Sequence, residues 1–195
     1  MYTEKTFALP SLEGITPESV AAHLGLYAGY VKNLNTLLAS KETLVGGDTY
    51  ALAEVTRRLA FEYDGARLHE LYFMQWEGGS TPLTTGGALD AASTLAQALT
   101  KQFGSVENWE KQFRAVGMMR GIGWAILYFD NEAQMFHHAW IDQHHQGLLA
   151  NADIILVLDI WEHAFVAQFG TAGRGAYIDA FFKNLNWSVM EKRFV

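Results

Sequence analysis

IILVLDIWEHAF, residues 154–165, passes from five consecutive apolar residues into an aspartate, a glutamate and a histidine spread over five positions. A charged group next to so buried-looking a run needs a partner or a metal ion to replace its lost hydration. Read as a strand ending near Leu158 and a helix beginning near Trp161, the stretch points Asp159 and His163 the same way from a strand-to-helix junction. Four positions apart, they would share a face even in unbroken helix. In isolation the pair also reads as a helix N-cap and a hydrogen-bonded histidine, because such caps are common. Only further ligands brought to the same place favour a metal.

Composition narrows what those ligands can be. The chain has 195 residues, half of them hydrophobic, which is enough for a substantial core. A formal net charge of -7 with no basic run excludes a phosphate-tracking surface, so nucleic acid is not a partner. Cysteine is absent, which removes disulfides, thiolate catalysis and cysteine-ligated zinc. Histidine and carboxylate remain. The opening MYTEKTFALPSLEG carries charge and proline where a signal peptide needs an apolar core, and no segment has the uninterrupted length of a membrane span. The expectation is a cytoplasmic protein with no membrane partner.

Upstream of the junction, Val20, Leu24, Tyr27, Val31, Leu34 and Leu38 recur at steps of three and four and predict a helix over 17–39. A second helix is expected over 49–75, with a bend or restart at Asp64-Gly65. EGGSTPLTTGG, residues 77–87, is glycine-rich and is the expected boundary between a helical hairpin domain, 1–80, and a second domain, 88–195. Helices over 91–103 and 106–116 follow. GWAILYFD, the segment 134–141 and IILVL read as three strands of an antiparallel sheet, and helix returns from Trp161 and over 176–185. The fold class is α+β, a helical hairpin followed by an α/β part with a three-stranded sheet.

His23 lies on the first helix and His69 on the second, each among apolar neighbours and each, alone, a structural residue by default. Together with the junction they can bring three imidazoles and one carboxylate to one point, a set suited to iron, manganese or zinc. Tyr27 and Tyr30 follow His23 on nearly the same face and read by spacing as an aromatic core stripe. In HHAWIDQHH, with His137, His138, His144 and His145, neighbours in a strand face opposite ways, so at most one of each pair faces an interior.

DIWEHAF resembles the D-x-W-E-H-A signature of the iron/manganese superoxide dismutases, a short and rather specific motif. RGIGWAILYF (120–129) resembles that family's G-x-G-W strand, GAYIDAFFKNLNW (175–187) its closing helix, and GARLHELYF (65–73) its second ligand helix. LPSL and YVKNLN, residues 9–12 and 30–35, resemble its opening and first helix, in the right order. The resemblance implies His23, His69, Asp159 and His163 as ligands of one iron or manganese ion, iron preferred, with superoxide as substrate. It implies Trp124 and Trp161 as walls of the site and Tyr30 at the substrate funnel. Glu162 would reach His163 of a partner subunit, hence a homodimer or a tetramer. Gly65 stands where many iron-type members carry glutamine, so the hydrogen-bond donor to the metal's solvent is expected at His144, or at Gln143 if the register slips by one. Arg174 matches a basic residue near the entrance.

Some positions depart from the family pattern. His23 precedes Tyr30 by seven residues instead of eight, and Leu26 or Tyr27 stands where a second histidine is usual. Seven helical steps leave the two side chains only roughly 20° apart, so the shorter spacing is tolerated. Val166 and Phe73 replace aromatics of the family. Two rival readings are a non-haem iron oxygenase, which needs two histidines and one carboxylate, and a metal-binding or interaction protein with little turnover.

Overall fold

The computed structural model describes residues 1–79 and 89–194. Helix α1, Pro17–Leu44, starts where Thr16 accepts a hydrogen bond from the Ser19 amide and Pro17 supplies a preset φ. It buries His23, Tyr27, Val31 and Leu34 along one stripe. Helix α2, Thr49–Met74, starts under the carboxylate of Asp48, which accepts from the Tyr50 and Ala51 amides. The two helices pack against each other as the expected hairpin.

No restart occurs at Asp64-Gly65: α2 runs through both residues. Gly65 is buried where α1 crosses, and a Cβ on it would lie 2.7 Å from the Tyr30 ring. Glycine here serves close helix contact and not a break.

Helices α3, Thr94–Phe103, and α4, Val106–Gly117, are capped by the hydroxyls of Ser93 and Ser105. Strands β1, Trp124–Asp130, β2, Met135–Ile141, and β3, Asp153–Asp159, form an antiparallel sheet in the order β2-β1-β3. β1 is central and buried over its first six residues, which explains its unbroken apolar run. Its register pairs Trp124 with Asp159, setting an indole beside the junction carboxylate.

Helices α5, Glu162–Phe169, and α6, Arg174–Lys183, follow as expected. A further helix, α7, Trp187–Arg193, was not anticipated; Asn186 caps it by accepting from the Ser188 amide. One core cluster draws on both parts of the chain, with Tyr27, Phe73 and Trp76 meeting Leu156, Ile178 and Phe181. The boundary expected over 77–87 falls largely on residues 80–88, outside the described residues. Among the described residues, no helix is long and apolar enough to cross a membrane.

Candidate metal centre

Four elements each deliver one side chain to a single point. α1 supplies His23, α2 His69, the end of β3 Asp159 and the first turn of α5 His163. Their ligand atoms all lie within 4.8 Å of one another. Oδ2 of Asp159 is 3.0 Å from His23 Nε2, 3.1 Å from His163 Nε2 and 3.6 Å from His69 Nε2. These three separations are those of ligands bonded at about 2.1 Å to a common ion and subtending angles between a right angle and about 120°.

The second nitrogens and oxygens orient the first. Nδ1 of His69 donates to the Gly65 carbonyl at 2.6 Å, so its Nε2 presents a lone pair to the cluster. That Nε2 is buried and has no hydrogen-bond partner. A buried nitrogen lone pair left open beside three further lone-pair-bearing ligand atoms is the arrangement a cation fits. Oδ1 of Asp159 accepts from the Trp161 amide at 2.8 Å, leaving Oδ2 for the histidines. The aspartate therefore anchors the chain just before α5 without being its N-cap, which is Trp161.

Electrostatics agree with ligand roles. Burial keeps His23 and His69 neutral by lowering both pKa values, with Asp159 opposing the shift in each. Burial would raise Asp159, yet the charge and hydrogen bond of His163, reinforced by His23, hold it well below the usual carboxylate range. At His163 burial works downward, but Asp159 outweighs it and the net shift is upward.

Around the cluster, Trp124 Nε1 donates to His144 Nδ1 at 3.0 Å, and His144 Nε2 lies 2.7 Å from the Tyr30 hydroxyl. Since Nδ1 accepts, the proton of the neutral ring sits on Nε2 and is donated to Tyr30. Trp124 and His144 are buried; Tyr30 is half-buried. Trp161 stacks on His144 and on His163, with ring centroids 4.9 and 5.8 Å apart. Glu162 is exposed beside His163. Gln143 is half-buried in a left-handed backbone conformation, φ 52°, next to His144 and outside the Trp124–His144–Tyr30 chain. Of the two candidate donors, His144 is built into that chain, where its one N–H is engaged by Tyr30, and Gln143 is not.

Three other sequence candidates are engaged elsewhere. Tyr27 accepts from the Lys5 amide at 2.8 Å and donates to Glu70 at 3.3 Å, a structural tie to the N-terminal arm. Arg174 donates to the carbonyls of Met119, Gly121 and Ile160, tying the start of β1 to the turn after β3. His138 lies between Phe103 and Phe113, and His137 is exposed, so only one of that pair turns inward. Sequence reading missed Phe61, whose ring is 4.6 Å from His144 and 6.1 Å from Tyr30. The signal was available: Phe61, Gly65 and His69 recur at steps of four and so lie on one face of α2.

The family described as iron/manganese superoxide dismutases, C-terminal domain, matches residues 91–193. "Superoxide dismutase [Fe]" of Saccharolobus solfataricus is 34% identical over 174 residues, covering 87% of this chain and 80% of the relative. "Superoxide dismutase [Mn] 2" of Haloferax volcanii is 32% identical, covering 86% and 80%. "Superoxide dismutase [Fe]" of Cupriavidus metallidurans is 31% identical, covering 94% and 90%.

Proposed function

The chain belongs to the iron/manganese superoxide dismutase family, and we propose that His23, His69, Asp159 and His163 form the metal centre through which it acts. Its reaction is the conversion of superoxide to dioxygen and hydrogen peroxide, with iron or manganese as cofactor. The observation that carries the assignment of the centre is the convergence of four ligand atoms within 4.8 Å, one of them a buried nitrogen with no other partner. Three imidazoles beside the carboxylate speak against the oxygenase reading, which uses two.

When bound there, iron or manganese supplies a one-electron couple that accepts an electron from one superoxide and gives it to another. The protein's own groups do the remaining work. Oδ2 of Asp159 and the buried imidazoles hold the charge in a water-poor pocket. Trp124 orients His144, His144 donates to Tyr30, and the Tyr30 hydroxyl keeps its own proton free to face an anion. Burial, helped by Asp159 and Glu62, raises the Tyr30 pKa, so it works as a neutral donor. Peroxide formation consumes two protons, and this chain of groups is positioned to hold one of them beside the site. Trp161 packs on His144 and His163 and excludes water from that side.

A homodimer belongs to the same proposal: Glu162 is exposed at the rim, within one position of a ligand whose Nε2 already engages Asp159. Light scattering on the purified chain tests it. For the centre, His163→Ala is expected to abolish both metal content and superoxide turnover; full metal stoichiometry in that variant overturns the ligand set. His144→Ala is expected to keep the metal and lower turnover by about 10²-fold. An unchanged rate would remove His144, and the chain from Trp124 to Tyr30 that it completes, from turnover.

A further inference from the structure

An anionic substrate approaching a chain of formal net charge -7 depends on the local field at the entrance. His69 and Asp159 are fully buried, whereas the His163 side chain is 21% exposed and Tyr30, Phe61 and Trp161 are half-buried. Access is therefore from the side of these aromatic rings. Arg174 is not a free cation there, because its guanidinium is spent on three backbone carbonyls.

Arg58 is differently placed. Its guanidinium lies 3.9 Å above the centroid of Phe61, the ring that touches His144 and Tyr30. Nε and Nη2 donate to one oxygen of Glu62 at 3.0 and 2.7 Å. Asn33 approaches the other oxygen of Glu62 at 3.4 Å. The Arg58 side chain is 47% exposed and that of Glu62 only 4%, so the pair is an oriented dipole with its positive end outward. Both charges are felt at the Tyr30 hydroxyl, in opposite directions.

We propose that Arg58, seated on Phe61 and held by Glu62, is a substrate-positioning residue that draws superoxide to the Tyr30 side of the centre and screens the Glu62 carboxylate from it. The inference rests on the proposed metal centre. Without Arg58, a buried carboxylate would stand unscreened beside the path of an anion. With it, the mouth presents a cation whose position is set by a ring and two hydrogen bonds. The interaction crosses solvent, so it weakens as the Debye length falls from about 10 Å at 0.1 M salt to about 3 Å at 1 M.

The test uses the metal-loaded full chain. Arg58→Gln should lower kcat/KM about threefold or more at low ionic strength, with kcat and metal content held, and the deficit should shrink toward none near 1 M salt. Arg58→Lys should retain most of the parental value. Arg58→Gln/Glu62→Gln, which removes the stranded carboxylate as well, should recover part of the loss. Azide, used as a small anionic probe, should bind the Arg58→Gln variant more weakly by a similar factor in calorimetry. A loss that is equal at all salt concentrations, or no loss at all, overturns the role of Arg58 while leaving the metal centre in place. A parent chain that takes up neither iron nor manganese overturns the metal centre, and the guide with it.

Discussion

At the scale of single residues, Gly65 shows how two opposed effects meet at one atom. Alanine in a helix interior is favoured over glycine by about 1 kcal/mol, so local propensity argues for replacing it. The Cβ would meet Tyr30 at 2.7 Å, however, and overpacking of that kind costs about 1–3 kcal/mol. Packing wins or breaks even on stability, but function has no compensating term. A displaced Tyr30 ring loses its 2.7 Å contact with His144. Gly65→Ala is thus expected to change the melting temperature by only a few degrees while lowering turnover well below the parental rate at equal metal content. Parental turnover in that variant would separate Tyr30 from catalysis. The four proposed ligands stood out as candidates because each sits in a periodic or motif-bearing stretch. Gly65 did not, because its reason is a ring 35 residues away in sequence, and a glycine in a helical pattern looks the same whether it breaks the helix or admits a neighbour.

At the scale of elements, a three-stranded sheet has two open edges, and each is met by a glutamine. Gln75 at the end of α2 donates to the Val157 carbonyl and accepts from its amide, both at 2.7 Å. Gln102 on α3 does the same to Phe136, at 2.8 and 2.7 Å. Each amide acts as one residue of an additional strand, which satisfies the backbone and blocks edge pairing. The two differ in burial, Gln75 being fully buried and Gln102 exposed. Gln75→Ala strands two buried backbone groups at about 1–3 kcal/mol each, and should lower the melting temperature by roughly 5–15 °C. Water replaces the lost bonds in Gln102→Ala, so a fall of only about 2–4 °C is expected. Equal shifts in thermal unfolding would contradict the burial argument. The order and type of the longer elements could be read from hydrophobic period, but α7 could not. Seven residues show no clear period, and isolated helices of that length are marginal. What holds α7 is tertiary: Arg193 donates to the carbonyls of Leu71 and Ile155 and to Gln75, clamping α2 to β3. Burial lowers the Arg193 pKa only to about 10, so the clamp stays charged at neutral pH.

At the scale of the whole molecule, the four proposed ligands, once they share an ion, would cross-link parts that the sequence keeps far apart. His23 and His69 belong to the hairpin, Asp159 and His163 to the α/β part, and the two are joined elsewhere by a shared apolar core and by polar ties such as Gln75 to Val157 and Arg193 to Leu71. A resident ion therefore binds the folded arrangement and not the unfolded chain, and its binding free energy adds to folding stability. Burial has already made His23 and His69 neutral in the folded protein, so uptake needs no proton removed from either near neutral pH. Free metal at about 1,000 times its dissociation constant contributes about 4 kcal/mol, which for a chain of this size corresponds to roughly 8–16 °C in melting temperature. Removing the metal with a chelator should lower the transition by that order and leave the far-ultraviolet circular dichroism nearly unchanged, because the hairpin, the sheet and their common core remain. His163→Ala should melt near the chelated parent and show no further fall on chelation, since the same cross-link is missing from both. A variant that keeps the parental response to chelator would mean that the ion sits elsewhere, and the convergence of the four side chains would then need another cause.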